Sequence, residues 1–275
     1  MRYKIGVLLF FVLTAVTGLA QNVSPATGDS DYFTKRAGQF AVVSDVKENA
    51  VALSENLSRM QTWICRRWTL PEKELSLECR VFSMSTQAGL THDFRIDDPR
   101  IEIRKDEAGK DLYAMYVVAG DKPTDNLSFF TTIVILKDIE RQHHVKFGNW
   151  VYRGVGTVDC SYARIREKIG TIRPRLIQDQ PVFFTSSLLT MTGADWDKQP
   201  ADLRALYDGE SVILCLMLVK EFGKPKFVEF IGTGSSEQNL ARVFGVKSYD
   251  ALDVLFKKYL LRLSNSNSNS DFQLP

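Results

Sequence analysis

The stretch "GQFAVVSDVKENAVALSENLSRMQTWI", Gly38 to Ile64, decides how the rest of the chain is read. Gln39 to Ser44 is short, apolar and β-branched, which is the signature of a strand. From Val46 the apolar residues Ala50, Leu53, Leu57, Met60 and Ile64 recur at alternating steps of four and three, and this spacing puts them on one face of a helix. Such a stripe needs something to dock against. Leu77 to Met84 ("LECRVFSM") reads as another strand with partial alternation. Ile101 to Arg104 and Leu112 to Ala119 ("LYAMYVVA") look like a further pair around the turn-forming "KDEAGKD". Residues 38–124 are therefore expected to form a mixed sheet with one long helix, after an extended segment at 21–37.

Beyond Asp125 the pattern changes. Leu127 to Leu136 is apolar and β-branched, and it reads either as a strand or as a buried helix. After it the helical period dominates. Leu203 to Phe222 is a long helix stopped by Gly223 and Pro225, and Phe227 to Ile231 a short one stopped by Gly232. Asn239 to Phe244 ends at Gly245, and Ser235 or Ser236 in "GTGSSE" serves as its cap. Ser248 opens a last helix, on which Leu252, Leu255, Phe256, Tyr259 and Leu260 share a face. The class expected is α+β, with a mainly helical lobe at 125–263. The tail 264–275, "SNSNSNSDFQLP" from Ser264, has too little apolar content to offset the entropy of ordering and is expected to be disordered.

The first residues point to export. Two positive charges lie within Met1 to Lys4, an apolar run spans Ile5 to Val16, and small residues follow at Gly18-Leu19-Ala20, so a signal peptide cut after Ala20 is expected. The rival is an uncleaved anchor, for which the run is shorter than the roughly 20 apolar residues of a spanning helix. A periplasmic or secreted protein with no membrane span results. Arg2 and Lys4 leave with the leader, so the 35 basic side chains become 33, against 33 acidic ones. A formally neutral chain lacks the surplus cations that nucleic-acid binding exploits, so no nucleic acid is expected as a partner. Arg173-Pro174-Arg175 reads as a solvated loop. Cys65, Cys79, Cys160 and Cys215 allow three pairings in an oxidising compartment, and no C-x-x-C pair points to zinc.

The order of elements resembles the gluzincin domains of the peptidase MA group of metallopeptidases. The strand and helix of Gly38–Ile64 look like their opening. "LYDGESVILCLMLVKEFGKPKFVEFI" (Leu206–Ile231) and "NLARVFGVKSYDALDVLFKKYL" (Asn239–Leu260) resemble their C-terminal helices, and "PVFFTSSLLTM" (Pro181–Met191) the connector before them. The resemblance spans most of Gly38 to Leu263. Such peptidases carry H-E-x-x-H on a helix, because imidazoles four residues apart hold one Zn²⁺ while the glutamate activates its water. A third ligand is commonly the glutamate of a later W-x-x-E-G.

Here Trp150-Val151-Tyr152-Arg153-Gly154 occupies that last pattern, with Arg153 in place of the carboxylate. A guanidinium has no lone pair for zinc and stays protonated. Counting back, the metal-binding helix falls near Phe130-Thr131-Thr132-Ile133-Val134, with Phe130, Thr131 and Val134 at the key positions and no zinc ligand among them. The histidines are His92, His143 and His144, and no H-E-x-x-H occurs anywhere. What the resemblance implies is a degenerate member without cofactor or catalytic residues, which binds a peptide or protein or serves as an envelope scaffold.

Two other chemistries were weighed. Glu140 with His143 and His144, or His92 beside Asp93 in an expected loop, offers a base for a hydrolase with an unfamiliar site, and this is the alternative function. A serine hydrolase or a phosphate loop is excluded, since neither G-x-S-x-G nor G-x-x-x-x-G-K-[ST] is present. The Asn-x-Ser triplets at Asn22, Asn56 and Asn126 matter only in a eukaryotic secretory route. Among the tryptophans Trp63, Trp68, Trp150 and Trp196, most belong to the core. Trp196 lies between Asp195 and Asp197 and is expected to face outward as a contact point, and Trp150 is a second candidate for binding.

Overall fold

The computed structural model describes residues 32–70, 74–95, 99–118, 123–160, 162–172, 174 and 183–264. The expected leader, residues 21–31, Arg173, Arg175 and the tail beyond Ser264 lie outside them.

Five strands form one mixed sheet: β1 (Phe33–Ala37), β2 (Phe40–Ser44), β3 (Cys79–Met84), β4 (Arg100–Lys105) and β5 (Asp111–Val118), in the order β1-β2-β3-β5-β4. The central strands β2, β3 and β5 run parallel, while β1 and β4 close the two edges antiparallel. β5 reads as an unbroken apolar run because both its faces are covered. Tyr113, Met115 and Val117 join the main core, whereas Leu112, Ala114 and Tyr116 point into a smaller cluster with Phe82, Met84 and Leu90. β1 takes up part of the segment expected to be merely extended. Its residues are polar and mostly exposed, so no alternation announces it. A two-residue turn joins it to β2, and Gly38 at φ +58° supplies the left-handed conformation there.

Helix α1 (Lys47–Arg67) packs on β1 and β2 through the predicted stripe, with Ala50, Leu53, Leu57 and Ile64 buried. Helix α2 (Gln87–Phe94) covers the other face, Leu90 and Phe94 meeting Phe82 and Tyr116. It contains His92 and Asp93, which the sequence had assigned to a loop. Thr86 caps it by accepting from the Gly89 N–H.

From Pro123 the described chain is helical, which makes the molecule α+β. The ambiguous run lies in α3 (Pro123–His143), a 21-residue helix. It is apolar over most of its circumference because α1, β4, β5 and α4 (Asn149–Val158) surround it. There follow α5 (Tyr162–Gly170), α6 (Thr185–Thr190), α7 (Gly193–Asp197), α8 (Ala201–Phe222), α9 (Lys224–Thr233), α10 (Glu237–Phe244) and α11 (Tyr249–Ser264). Every residue from Leu206 to Val219 is buried, so α8 is the axis of the helical lobe. Gly223 (φ +87°) separates α8 from α9, Ser236 caps α10 and Ser248 caps α11, as the sequence puts them, but Gly232, the expected stop of the short helix, lies inside α9, which ends at Gly234 (φ +87°). Phe183 and Thr185 are pinned between α8 and α11, Glu210 accepting from the Phe183 N–H at 3.1 Å and Asp253 from the Thr185 N–H at 2.7 Å.

None of the four cysteines is joined in a disulfide. Cys65 lies inside α1, Cys79 begins β3 and Cys215 sits in mid-α8, all buried, while Cys160 follows α4. Burial raises the Cys79 and Cys215 thiols above their ordinary range, so both behave as small apolar side chains. Among the described residues no helix is long and apolar enough to cross a membrane.

Candidate functional site

Helix α4 is wedged between α3 and α8 by its glycines. A Cβ on Gly154 would stand 2.6 Å from the Ser211 carbonyl oxygen of α8, and one on Gly156 would stand 2.8 Å from the Phe129 ring of α3. This close approach lets the side of α4 away from the core share a cleft with α3 and the edge strand β4. The cleft has a volume of about 840 Å³. β4 contributes Pro99 to Ile101; α3 contributes Phe129, Phe130, Ile133 and Lys137; α4 contributes Asn149, Tyr152, Arg153 and Thr157. Arg164, Lys168 and Asp208 complete the deep side, and the segments Lys146–Gly148 and Thr190–Gly193 the rim.

Two of the expected positions thus meet. Phe130 and Arg153 line the same cleft, joined there by Phe129 and Ile133. Thr131 and Val134 are fully buried and turned elsewhere, the Thr131 hydroxyl donating to the Leu127 carbonyl at 2.7 Å. The face of α3 presented to the cleft is therefore one residue earlier than the count placed it. Its side chains, like the Arg153 guanidinium, offer a metal no lone pair, so the residues present do not fit the zinc ion of gluzincins. Among the described residues no three His, Cys, Asp or Glu side chains converge as a metal-binding group.

Arg153 is held in place. Its guanidinium lies 3.6 Å from the centroid of the Trp196 ring, and Nε is 3.7 Å from Asp208 Oδ1. Trp196 Nε1 donates to the same Asp208 oxygen at 3.1 Å, and Lys168 Nζ approaches Oδ2 at 3.7 Å. Burial pushes the Asp208 carboxyl up, against the pull of Arg153 and Lys168. Burial likewise lowers the Arg153 pKa, against Asp208, although a guanidinium stays charged at any biological pH. Trp196 is consequently not the outward contact point that its flanking aspartates suggested. It is half-buried between Arg153 and Arg204. Trp150 is a core residue, fully buried against Phe227 and Phe230, with its N–H donated to Ser235 Oγ at 3.3 Å.

The charge of the cleft is lopsided. Six lining side chains are basic (Arg100, Lys137, Lys146, Arg153, Arg164, Lys168) and one, Asp208, is acidic. At the start of α4 no side chain caps the helix and no acidic residue occupies the first turn, so the positive end of its dipole is uncompensated there. Asn149, the first residue of α4, is only 9% exposed, and its Nδ2 amide has no hydrogen-bond partner.

The other candidates lie apart from the cleft. His92 Nδ1 is 2.7 Å from Asp93 Oδ1 on the exposed last turn of α2. Partial burial pushes the Asp93 carboxyl up, but hydrogen bonds from His92 and Tyr32 prevail and hold it below its usual value. Glu140 accepts from the Phe147 N–H and so closes the turn after α3, while His143 and His144 are exposed. His144 adopts φ +53°, a left-handed helix end.

Sequence reasoning missed Asp208, Lys137, Lys146 and Asn149. Only Asp208 left a signal, an acid, like Glu210, within the run Leu206 to Val219 of α8, where a buried charge requires partners. Neither protein-family models nor curated proteins yield a match to this chain.

Proposed function

We propose that this is an exported, non-catalytic binding protein on a gluzincin-like scaffold, whose cleft between β4, α3 and α4 holds a peptide or a segment of a protein. The observation that carries the reading is the pairing of Phe130 with Arg153 in one cleft, at positions where the resemblance calls for a zinc-binding helix and its third ligand. The cleft keeps its shape without metal chemistry, because Arg153 is braced by Asp208 and Trp196. A concave, partly apolar cleft with a few polar groups is the usual form of a ligand site. β4, an edge strand on its rim, suits an extended polypeptide, whose backbone can pair with a free strand edge. Export rests on the charged and apolar character of residues 1–20.

One observation favours the hydrolase alternative, the His92–Asp93 contact, which has the geometry of an oriented base. It sits outside the cleft on an exposed helix end. The test is metal content and peptidase activity of the purified mature protein. The proposal expects far less than one zinc per chain and no peptide cleavage. One zinc per chain with chelator-sensitive cleavage overturns it. Cleavage that His92→Ala abolishes selects the alternative.

A further inference from the structure

We infer that the cleft selects carboxylates, so that the peptide it holds is acidic; this deepens, and rests on, the reading of the cleft as a peptide site. Three cations of the lining have a carboxylate beside them within the protein: Arg100 meets Glu102, and Arg153 and Lys168 share the single carboxylate of Asp208. Lys137 and Lys146 have no carboxylate partner among the described residues. Lys137 makes only a cation–π approach to Tyr152, Nζ 5.5 Å from the ring centroid, and Lys146 is exposed. Both line the cleft whose rim includes the start of α4.

The second observation is independent of charge. Leaving a buried donor unmatched is costly, and such groups ordinarily find a partner. Asn149 is nine-tenths buried and lines this cleft, and its enclosed Nδ2 has no partner among the described residues. A turn of that side chain would bring its N–H₂ to a carboxylate entering beside the start of α4, where the helix dipole also favours negative charge. Lysine ammonium groups then supply attraction without demanding one orientation.

The same features argue for a peptide over a nucleic acid. Phosphate recognition favours the bidentate fork of arginine; of the three arginines in the lining, Arg100 and Arg153 are engaged by carboxylates within the protein, and Arg164 lies over the Phe129 ring, 5.5 Å from its centroid. Phe130, Ile133 and Phe147 leave much of the wall apolar, which suits side chains flanking an acidic residue.

The experiment is fluorescence anisotropy on the mature protein with a fluorescein-labelled decapeptide of alternating Glu and Ala. Its controls are the Gln-for-Glu analogue, each peptide with a free or an amidated C-terminus, and a labelled ten-thymidine oligonucleotide. The expected result is at least tenfold tighter binding of the Glu peptide than of the Gln analogue. Its affinity should fall with added salt and drop at least tenfold in K137A/K146A, whose folding is checked by circular dichroism. The preference is expected to persist after amidation, which assigns it to side-chain carboxylates; a preference lost on amidation overturns the inference. Equal binding of the Glu and Gln peptides, no binding of the Glu peptide, tighter binding of the oligonucleotide, or an unchanged double variant overturns it. Equal binding without cleavage leaves the proposed function standing, whereas cleavage of the bound peptide, read by mass spectrometry, overturns only the non-catalytic reading.

Discussion

The two ends of α4 meet their surroundings in opposite ways. At the far end, Asp159 is buried, and both of its carboxylate oxygens accept from Trp68 Nε1 at 2.8 Å. Thr132 Oγ1 donates to it at 2.9 Å, and Arg67 Nε lies 3.2 Å away. Three elements, α1, α3 and α4, are tied at that point; the Asp159 carboxylate is matched by the protein itself, and Arg67 Nε meets it as an ion pair without a hydrogen bond. At the near end, Asn149 is also enclosed, but its Nδ2 has no partner among the described residues, no side chain caps the helix, and the neighbouring Lys146 has no carboxylate partner among them. The difference separates two uses of buried polarity. A saturated network holds a fold together, whereas an unsaturated one beside a cleft is poised for a ligand.

The contrast breaks first at Asp159. Asp159→Ala strands the Trp68 N–H and the Arg67 charge, and a loss of about 3 kcal/mol of stability is expected in urea denaturation. A loss below about 1 kcal/mol would show that the far end is no keystone.

The pH response of the same group is the second, smaller effect. Burial raises the Asp159 carboxyl from 3.8 to about 6, outweighing its hydrogen bonds and Arg67. The folded state therefore binds this proton more tightly than the unfolded chain does. Between about pH 4 and 6 its contribution to stability grows as pH falls and is lost as pH rises. Wild type should gain stability relative to Asp159→Asn on acidification through that window, as followed by thermal melts of both. A difference independent of pH would place the titration elsewhere.

The smallest effect is expected at the near end. Asn149→Leu removes an amide whose N–H₂ has no partner, so stability should change by less than about 1 kcal/mol, of either sign, in contrast to Asp159→Ala. A loss as large as that at Asp159 would mean the two ends are alike.

Much of the scaffold was readable from short-range pattern. The α1 stripe, the β4–β5 pair, the stop at Gly223 and the caps at Ser236 and Ser248 follow from side-chain period and backbone preference, which are local properties. β1 was invisible because a polar edge strand shows no alternation. α3 was ambiguous because a helix enclosed by a sheet and other helices loses its polar face. At the site, Arg153 was found by its place in a short pattern. Its partners were not, since Asp208 and Trp196 lie 55 and 43 residues further along the chain.

By itself the amino-acid order determined which donor atoms exist: no H-E-x-x-H occurs, and position 153 carries an arginine, whose guanidinium has no lone pair for a metal. Residue type settles this, because the lone pairs of a side chain do not depend on the fold. Only the tertiary structure decided which charges cancel. Asp208 is shared between Arg153 and Lys168, while Lys137 and Lys146, which line the same cleft, have no carboxylate partner among the described residues. Attraction between charges depends on distance and burial in space, and neither can be counted along a chain.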